Sequence, residues 1–223
     1  MRASASASAA AALLWGTANV VCAETAPWPD DFVARLEALA LLQTLNADLL
    51  SHDSATATLE RWCADHRLAE PPRIVAERAP DVEKPAPADV RPALDVEPGE
   101  ALGYRRVRLK CGEHVLSEAD NWYVPARLTP ELNHTLETTD TPFGKAVASL
   151  QFRRHTLSAD LLWSPLRKGW EMEAAPPGAA TGPLRIPARV LEHRAVLSTP
   201  DGKPFSEVVE TYTGEVLSFP AAK

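Results

Sequence analysis

Three cysteines, ten glycines and 6% aromatic residues in 223 positions leave several protein classes without their raw material. Three cysteines are too few for a disulfide-built scaffold. No apolar run approaches the roughly 20 residues of a membrane-spanning helix. The glycine-rich phosphate loops GxGxxG and GxxxxGKS/T are absent, as is the nucleophile elbow GxSxG. Six histidines, His52, His66, His114, His134, His155 and His193, show no HxH, HExxH or Cys-His spacing, so no metal site and no cofactor are expected. The chain carries 23 basic against 30 acidic residues with no block of like charge, which argues against a nucleic-acid or anionic-membrane binder. Cofactor-free chemistry or simple binding remains.

What is present begins with residues 1–23, MRASASASAAAALLWGTANVVCA. One positive residue, a small-and-apolar stretch and a small-residue cleavage site are the layout of a signal peptide. The expectation is export to the periplasm with cleavage after Ala23, a retained anchor being the alternative. Residues 24–223 are expected to form one domain, with no stable membrane insertion after cleavage, and to be monomeric. Only Cys63 and Cys111 remain in that span. Joined, they would close a loop worth roughly 4 kcal/mol; unjoined, they are two separate buried thiols. Both readings stay open.

Asp30 or Asp31 can cap a helix to about Leu50, with Phe32, Leu36, Leu39, Leu42, Leu45 and Leu49 on one stripe. Ser54 can cap a second helix to about His66. Residues 73–78 read as a strand. Residues 80–103, with five prolines, read as an extended, solvent-facing connection within the domain. From Tyr104 the period becomes two: Val107, Leu109 and Cys111 face one way, Arg106, Arg108 and Lys110 the other. A hairpin partner follows over 114–124, then helix starts at Thr129-Pro130 and Thr141-Pro142. Strands are predicted at about 151–163, 188–198 and 205–212, with a turn at Thr199–Lys203. The fold class is α+β, a single domain with a mostly antiparallel β-sheet flanked by short helices.

Two features carry chemistry. The basic strand face Arg106/Arg108/Lys110 reads either as a solvated outer face or as a carboxylate clamp. Alternation puts Glu210 on the face of Val208 and Tyr212, where burial would suit a general acid or a partner for a substrate hydroxyl, or else a structural ion pair.

The stretch from Arg106 to Pro125, RVRLKCGEHVLSEADNWYVP, resembles the first hairpin of the bacterial chorismate pyruvate-lyases. The resemblance continues through Arg127-Leu128-Thr129, Thr141-Pro-Phe-Gly144, Thr156–Asp160 and the Asp201–Pro204 turn into Glu210. It implies a chorismate-lyase-like fold with an enclosed ligand cavity and loss of pyruvate from chorismate to give 4-hydroxybenzoate, or action on a related small cyclic carboxylate. By that resemblance Arg106 binds the ring carboxylate, the Phe143 backbone binds substrate, and Glu210 meets the position that becomes the ring hydroxyl. Ala55 falls where the family contributes a larger apolar side chain. The alternative is an exported, non-catalytic binding protein for an aromatic carboxylate.

Overall fold

In the computed structural model, which describes residues 28–79, 82–173, 178 and 181–221, the period-two segments become six antiparallel strands. They are β1 (Ile74–Arg78), β2 (Gly103–Cys111), β3 (His114–Tyr123), β4 (Arg153–Leu161), β5 (Arg189–Ser198) and β6 (Pro204–Thr213). Their spatial order is β1-β2-β3-β6-β5-β4. The β5–β6 hairpin closes at the expected turn, where Gly202 holds a φ of 88° and donates its N–H to Thr199 at 2.8 Å. That left-handed conformation is open to glycine at no steric cost. The fold is the expected one: a single α+β domain with an antiparallel sheet and short helices. The segment 1–23 lies outside the described residues.

Helix α1 (Phe32–Ser51) starts where Asp31 accepts from the Ala34 N–H at 2.9 Å. Its buried line is Ala34, Ala38, Leu42, Leu45 and Leu49; of the expected stripe, Leu42, Leu45 and Leu49 are buried and Phe32, Leu36 and Leu39 are not. Leu36 is exposed, because two alanines let the first half of the helix lie close to its neighbours and turn Leu36 outward. Helix α2 (Ala55–Asp65) is capped by Ser54 as expected. Both helices pack on one face of the sheet, here the inner face, against Val107, Leu109, Ala119, Ala195 and Val208. Two indole N–H groups fasten this layer to the chain end, Trp28 to Leu217 O at 3.0 Å and Trp62 to Val216 O at 2.9 Å. Cys63 of α2 and Cys111 of β2 are joined in a buried disulfide with Cα atoms 6.3 Å apart, which decides between the two readings of the thiols.

Between β3 and β4 the chain leaves the sheet to form α4 (Pro130–Thr138) and the single turn α5 (Phe143–Ala146). Thr129 caps α4 with Pro130 in its first turn. These helices bury Leu136, Phe143 and Val147 with Phe152, Leu197 and Phe205, a second apolar cluster at the other end of the domain.

The proline-rich connection departs from expectation. Instead of facing solvent throughout, it crosses the outer face of the sheet. The turn α3 (Val90–Ala93) and the adjoining Leu94 bury Val90 and Leu94 against Trp122, Val124 and Val196. Arg127 pins it by donating to Leu94 O, Asp95 O, Pro204 O and Glu100. The physical reason is that Trp122 and Val196 give the outer face an apolar patch, and covering it releases water that an extended strand of prolines would leave in place.

Candidate functional site

The inner face is apolar at both ends and polar in its centre. Glu210 stands on β6 between Val208 and Tyr212, opposite Ala119 of β3 and His193 of β5. Arg154, on the edge strand β4, donates from Nη2 to Glu210 Oε2 at 2.6 Å. Only 4% of the Arg154 side chain and 8% of the Glu210 side chain reach solvent, so this is a buried ion pair. The Tyr212 hydroxyl donates to the same oxygen at 3.2 Å. His193 is fully buried and donates from Nε2 to Asn46 Oδ1 of α1 at 2.8 Å, with its ring edge-on to Tyr212.

The electrostatics follow from burial around one cation. Desolvation opposes the charge on Arg154, but Glu210, then Tyr212 and Asp53, outweigh it and hold the guanidinium above its ordinary value. Burial, then the Arg154 charge, push His193 down to about 4 against the pull of Glu210 and Asp160, so the ring is neutral at pH 7. Burial and the adjacent Glu210 carboxylate raise Tyr212 far above the usual phenol range. Among the described residues, Arg154 Nε and His193 Nδ1 are buried and have no hydrogen-bond partner. Arg154 Nε is a donor and, with the neutral ring donating from Nε2, His193 Nδ1 is an acceptor. Buried polar atoms are rarely left so, and the two in one cluster mark a place where a further polar group fits.

A cavity of about 30 Å³ lies against Arg154 and Glu210. Its apolar walls come from both core clusters, with Val107, Leu109 and Val208 on one side and Phe143, Phe152 and Leu197 on the other. Thr56 and Asn121 add hydroxyl and amide groups. The space is about one water molecule's share of liquid volume. The loop between α1 and α2 borders it, held by Asp53, which accepts from the Arg154 backbone N–H at 2.8 Å. Opposite that loop, a Cβ added at Gly144 would stand 3.3 Å from Ser54 Oγ, so α5 and the start of α2 close over the cavity with little room between them.

Three of the four residues singled out in the sequence meet here: Glu210, Phe143 and Ala55 all line the cavity. Arg106 does not. It pairs in register with Asp120 on the outer face, with Nη2 3.3 Å from Glu118 Oε2 and Nη1 3.7 Å from Asp120 Oδ1. Strand alternation separates it from Glu210 by the thickness of the sheet. The neighbouring Arg105 does face inward, where Nε and Nη2 donate to the carbonyls of Leu136, Thr139 and Thr141 around the end of α4, while Nη1 is buried without a partner among the described residues. Burial and the nearby Arg78 lower it to about 10.

Glu210 therefore finds its cation in Arg154, which sequence reading missed. Arg154 sits in RRHTLSADL, a strand with no clean apolar alternation and hence no marked inner face. His193 had a signal: it alternates with Leu191, Ala195 and Leu197, an imidazole on an apolar face.

No family model matches the chain. It is 58% identical over 195 residues to the uncharacterized protein y4mC of Sinorhizobium fredii (strain NBRC 101917 / NGR234), an alignment covering 87% of this chain and 82% of that protein. Among solved structures it is similar to the effector domain of PhnF from Mycobacterium smegmatis, at 15% identity and a TM-score of 0.44, covering 68% of this chain and 88% of that one. It is also similar to the ligand-binding domain of a candidate GntR-family transcriptional regulator from Bordetella bronchiseptica, at 18% identity and a TM-score of 0.38, covering 63% of this chain and 82% of that one. The expected membership of the chorismate pyruvate-lyases does not hold: these similarities are to regulator domains and to a protein of unassigned activity. Nor do they support lyase chemistry, 4-hydroxybenzoate as a product, or the export segment expected over residues 1–23.

Proposed function

The chain belongs to the family of protein y4mC of Sinorhizobium fredii, and on that footing we propose that it binds a small molecule at the inner cavity without transforming it. The observation that carries this reading is Arg154: a buried cation on the wall of the cavity, one donor held by Glu210 and Nε without a partner among the described residues. A ligand oxygen can take the free donor. A ligand hydroxyl or N–H can donate to Glu210. The apolar walls suit a ring, so the ligand class is a small cyclic or aromatic carboxylate with a second polar group.

Binding rather than catalysis follows from how the charged groups are engaged. Glu210 Oε2 accepts from both Arg154 and Tyr212, and His193 is neutral and tied to Asn46. An acid for protonating a leaving group needs a proton to give and a clear line to it. At Oε2 the carboxylate is occupied as an acceptor twice over.

The cavity of about 30 Å³ is far below the roughly 300–1,000 Å³ of small-molecule sites. A ligand must therefore displace the Phe143 and Phe152 side, and closure over it would bury the ligand on all sides.

The test is a thermal-shift series on the full chain with benzoate, cyclohexanecarboxylate and hydroxylated analogues of each. At least one should raise Tm in proportion to the logarithm of its concentration and be recovered unaltered. Arg154→Met should lose that response, and so should Arg154→Lys, which keeps the charge but not the forked donor geometry. A panel without effect on the wild-type chain, or an equal shift in the Arg154→Lys variant, would sink the reading.

A further inference from the structure

The basic face of β2 has no part in the inner cavity, yet it borders a spacious depression of its own. On the outer face a groove of about 570 Å³ runs between the Ile186–Ala188 segment and the turn Gly214–Ser218. That volume lies within the roughly 300–1,000 Å³ usual for small-molecule sites. Val115, Ile186 and Pro187 supply apolar surface, and Arg108 and Arg189 stand over it. The connection that covers Trp122 leaves this half of the face open.

The charges here are unevenly matched. Glu118 is approached by three guanidinium groups: Arg106 Nη2 at 3.3 Å, Arg108 Nε at 3.5 Å and Arg189 Nη2 at 4.0 Å. One carboxylate offers about four acceptor sites, and three guanidinium groups bring about fifteen N–H donors. Arg106 has a further acceptor in Asp120 at 3.7 Å, and Arg108 has Glu77 at 4.0 Å. The other charged groups nearby have partners of their own, Glu215 on the wall of the groove itself. Lys84 is held by Asp120, Glu192 accepts from Thr211, and Glu215 accepts from His114 and Ser218. The side chains of Arg108 and Arg189 are 55% and 64% exposed, free to turn toward a guest. A surplus of forked donors beside an apolar floor is the arrangement that grips an anion attached to an apolar body.

We propose that this groove is a second binding site, separate from the inner cavity, for an organic anion. Its carboxylate or phosphate is held by Arg108 and Arg189, and its apolar body lies on Val115, Ile186 and Pro187. Glu118 is the built-in competitor, a like charge that any guest must share its arginines with.

Titration calorimetry on the full chain tests this with 2-naphthoate, 1-naphthyl phosphate and inorganic phosphate. At least one naphthyl anion should bind with a Kd below about 1 mM, and the stronger of the two identifies the anionic group. Inorganic phosphate, lacking the apolar body, should bind at least about tenfold more weakly. Arg108→Gln and Arg189→Gln should each weaken the naphthyl anion about tenfold or more. Glu118→Gln should tighten it, because the competing charge is gone. Arg108 and Arg189 are exposed, where substitutions spare the fold, and Glu118 is half-buried, so thermal unfolding of Glu118→Gln is measured alongside. Opposite signs at Glu118 and the two arginines localise the guest to the groove. No binding by either naphthyl anion overturns the proposal, as does equal binding of inorganic phosphate. Affinity unchanged in all three variants would put the guest in the inner cavity and overturn it equally; a loss of affinity in Glu118→Gln would do the same.

Discussion

Replacing Glu210 by Gln keeps the size of the side chain and an oxygen for Tyr212, and removes only the charge that faces Arg154. The pair is short, at 2.6 Å, and both side chains are more than nine-tenths buried. Charges about 4 Å apart in a medium of effective dielectric 20 attract by about 4 kcal/mol. Breaking a buried pair leaves an uncompensated charge, at a cost of about 3–5 kcal/mol. Glu210→Gln and Arg154→Met should each therefore lower unfolding free energy by about 3–5 kcal/mol. The double variant should be much less destabilised than the sum, with a coupling of at least about 2 kcal/mol. Urea unfolding of the four proteins at pH 7 measures this, and repeating it in 0.5 M salt should leave the coupling intact, since buried pairs are poorly screened. The same cation depresses His193, so the imidazole resonance should titrate at higher pH in Arg154→Met than in the wild-type chain. Effects that add within about 0.5 kcal/mol would refute the claim that the pair is one electrostatic unit.

Other consequences follow from the same geometry. His193 is held near 4 while an unfolded histidine titrates near 6.5. Between those values the unfolded chain carries a proton that the folded chain lacks, so stability is full above pH 6.5 and falls as pH drops toward 4. The loss reaches about 3 kcal/mol at 1.36 kcal/mol per pH unit. A His193→Gln chain should show a flatter arm over that window in pH-dependent urea unfolding; an identical slope would count against the buried neutral ring. Reducing the Cys63–Cys111 bridge opens a loop spanning 48 positions in sequence and should cost about 4 kcal/mol in the chain-entropy model, read as a lower urea midpoint in reductant. Gly214→Ala should destabilise by about 1–3 kcal/mol, because the added Cβ would meet Pro187 O at 2.5 Å and Ile186 Cγ2 at 2.9 Å. A variant as stable as wild type in thermal unfolding would show that this turn can shift.

Much of the fold was legible because local chemistry and tertiary structure agree. Asp31, Ser54 and Thr129 cap helices through their own oxygens, a bond that needs only a few residues of chain. The alternation of Val107, Leu109 and Cys111 against Arg106, Arg108 and Lys110 identified both faces of β2 before any partner strand was known. The site was half legible. Glu210 stood out as a carboxylate on an apolar face, and Phe143 and Ala55 came with the family resemblance. Arg154 did not, because β4 alternates no run of apolar residues that would mark its inner face, unlike the other edge strand, β1, with Ile74 and Ala76 buried. Arg106 was placed in the ligand site through that same resemblance, although its own alternation put it opposite Glu210. The proline-rich stretch misled for another reason: proline reports backbone stiffness, and says nothing of whether a Trp122 waits beneath.

The sequence by itself determined most of the helices and strands, where they start, and which side of β2 and β6 is apolar. Those properties depend on interactions within about one turn or two residues, so the order of residues contains them. The tertiary structure decided which strand lies beside which, and hence that Glu210 meets Arg154 and not Arg106. It also decided that Cys63 reaches Cys111, and that three arginines gather around Glu118. Each of these joins residues from ten to about seventy positions apart, and such meetings are set by sheet order and register, which no local pattern encodes.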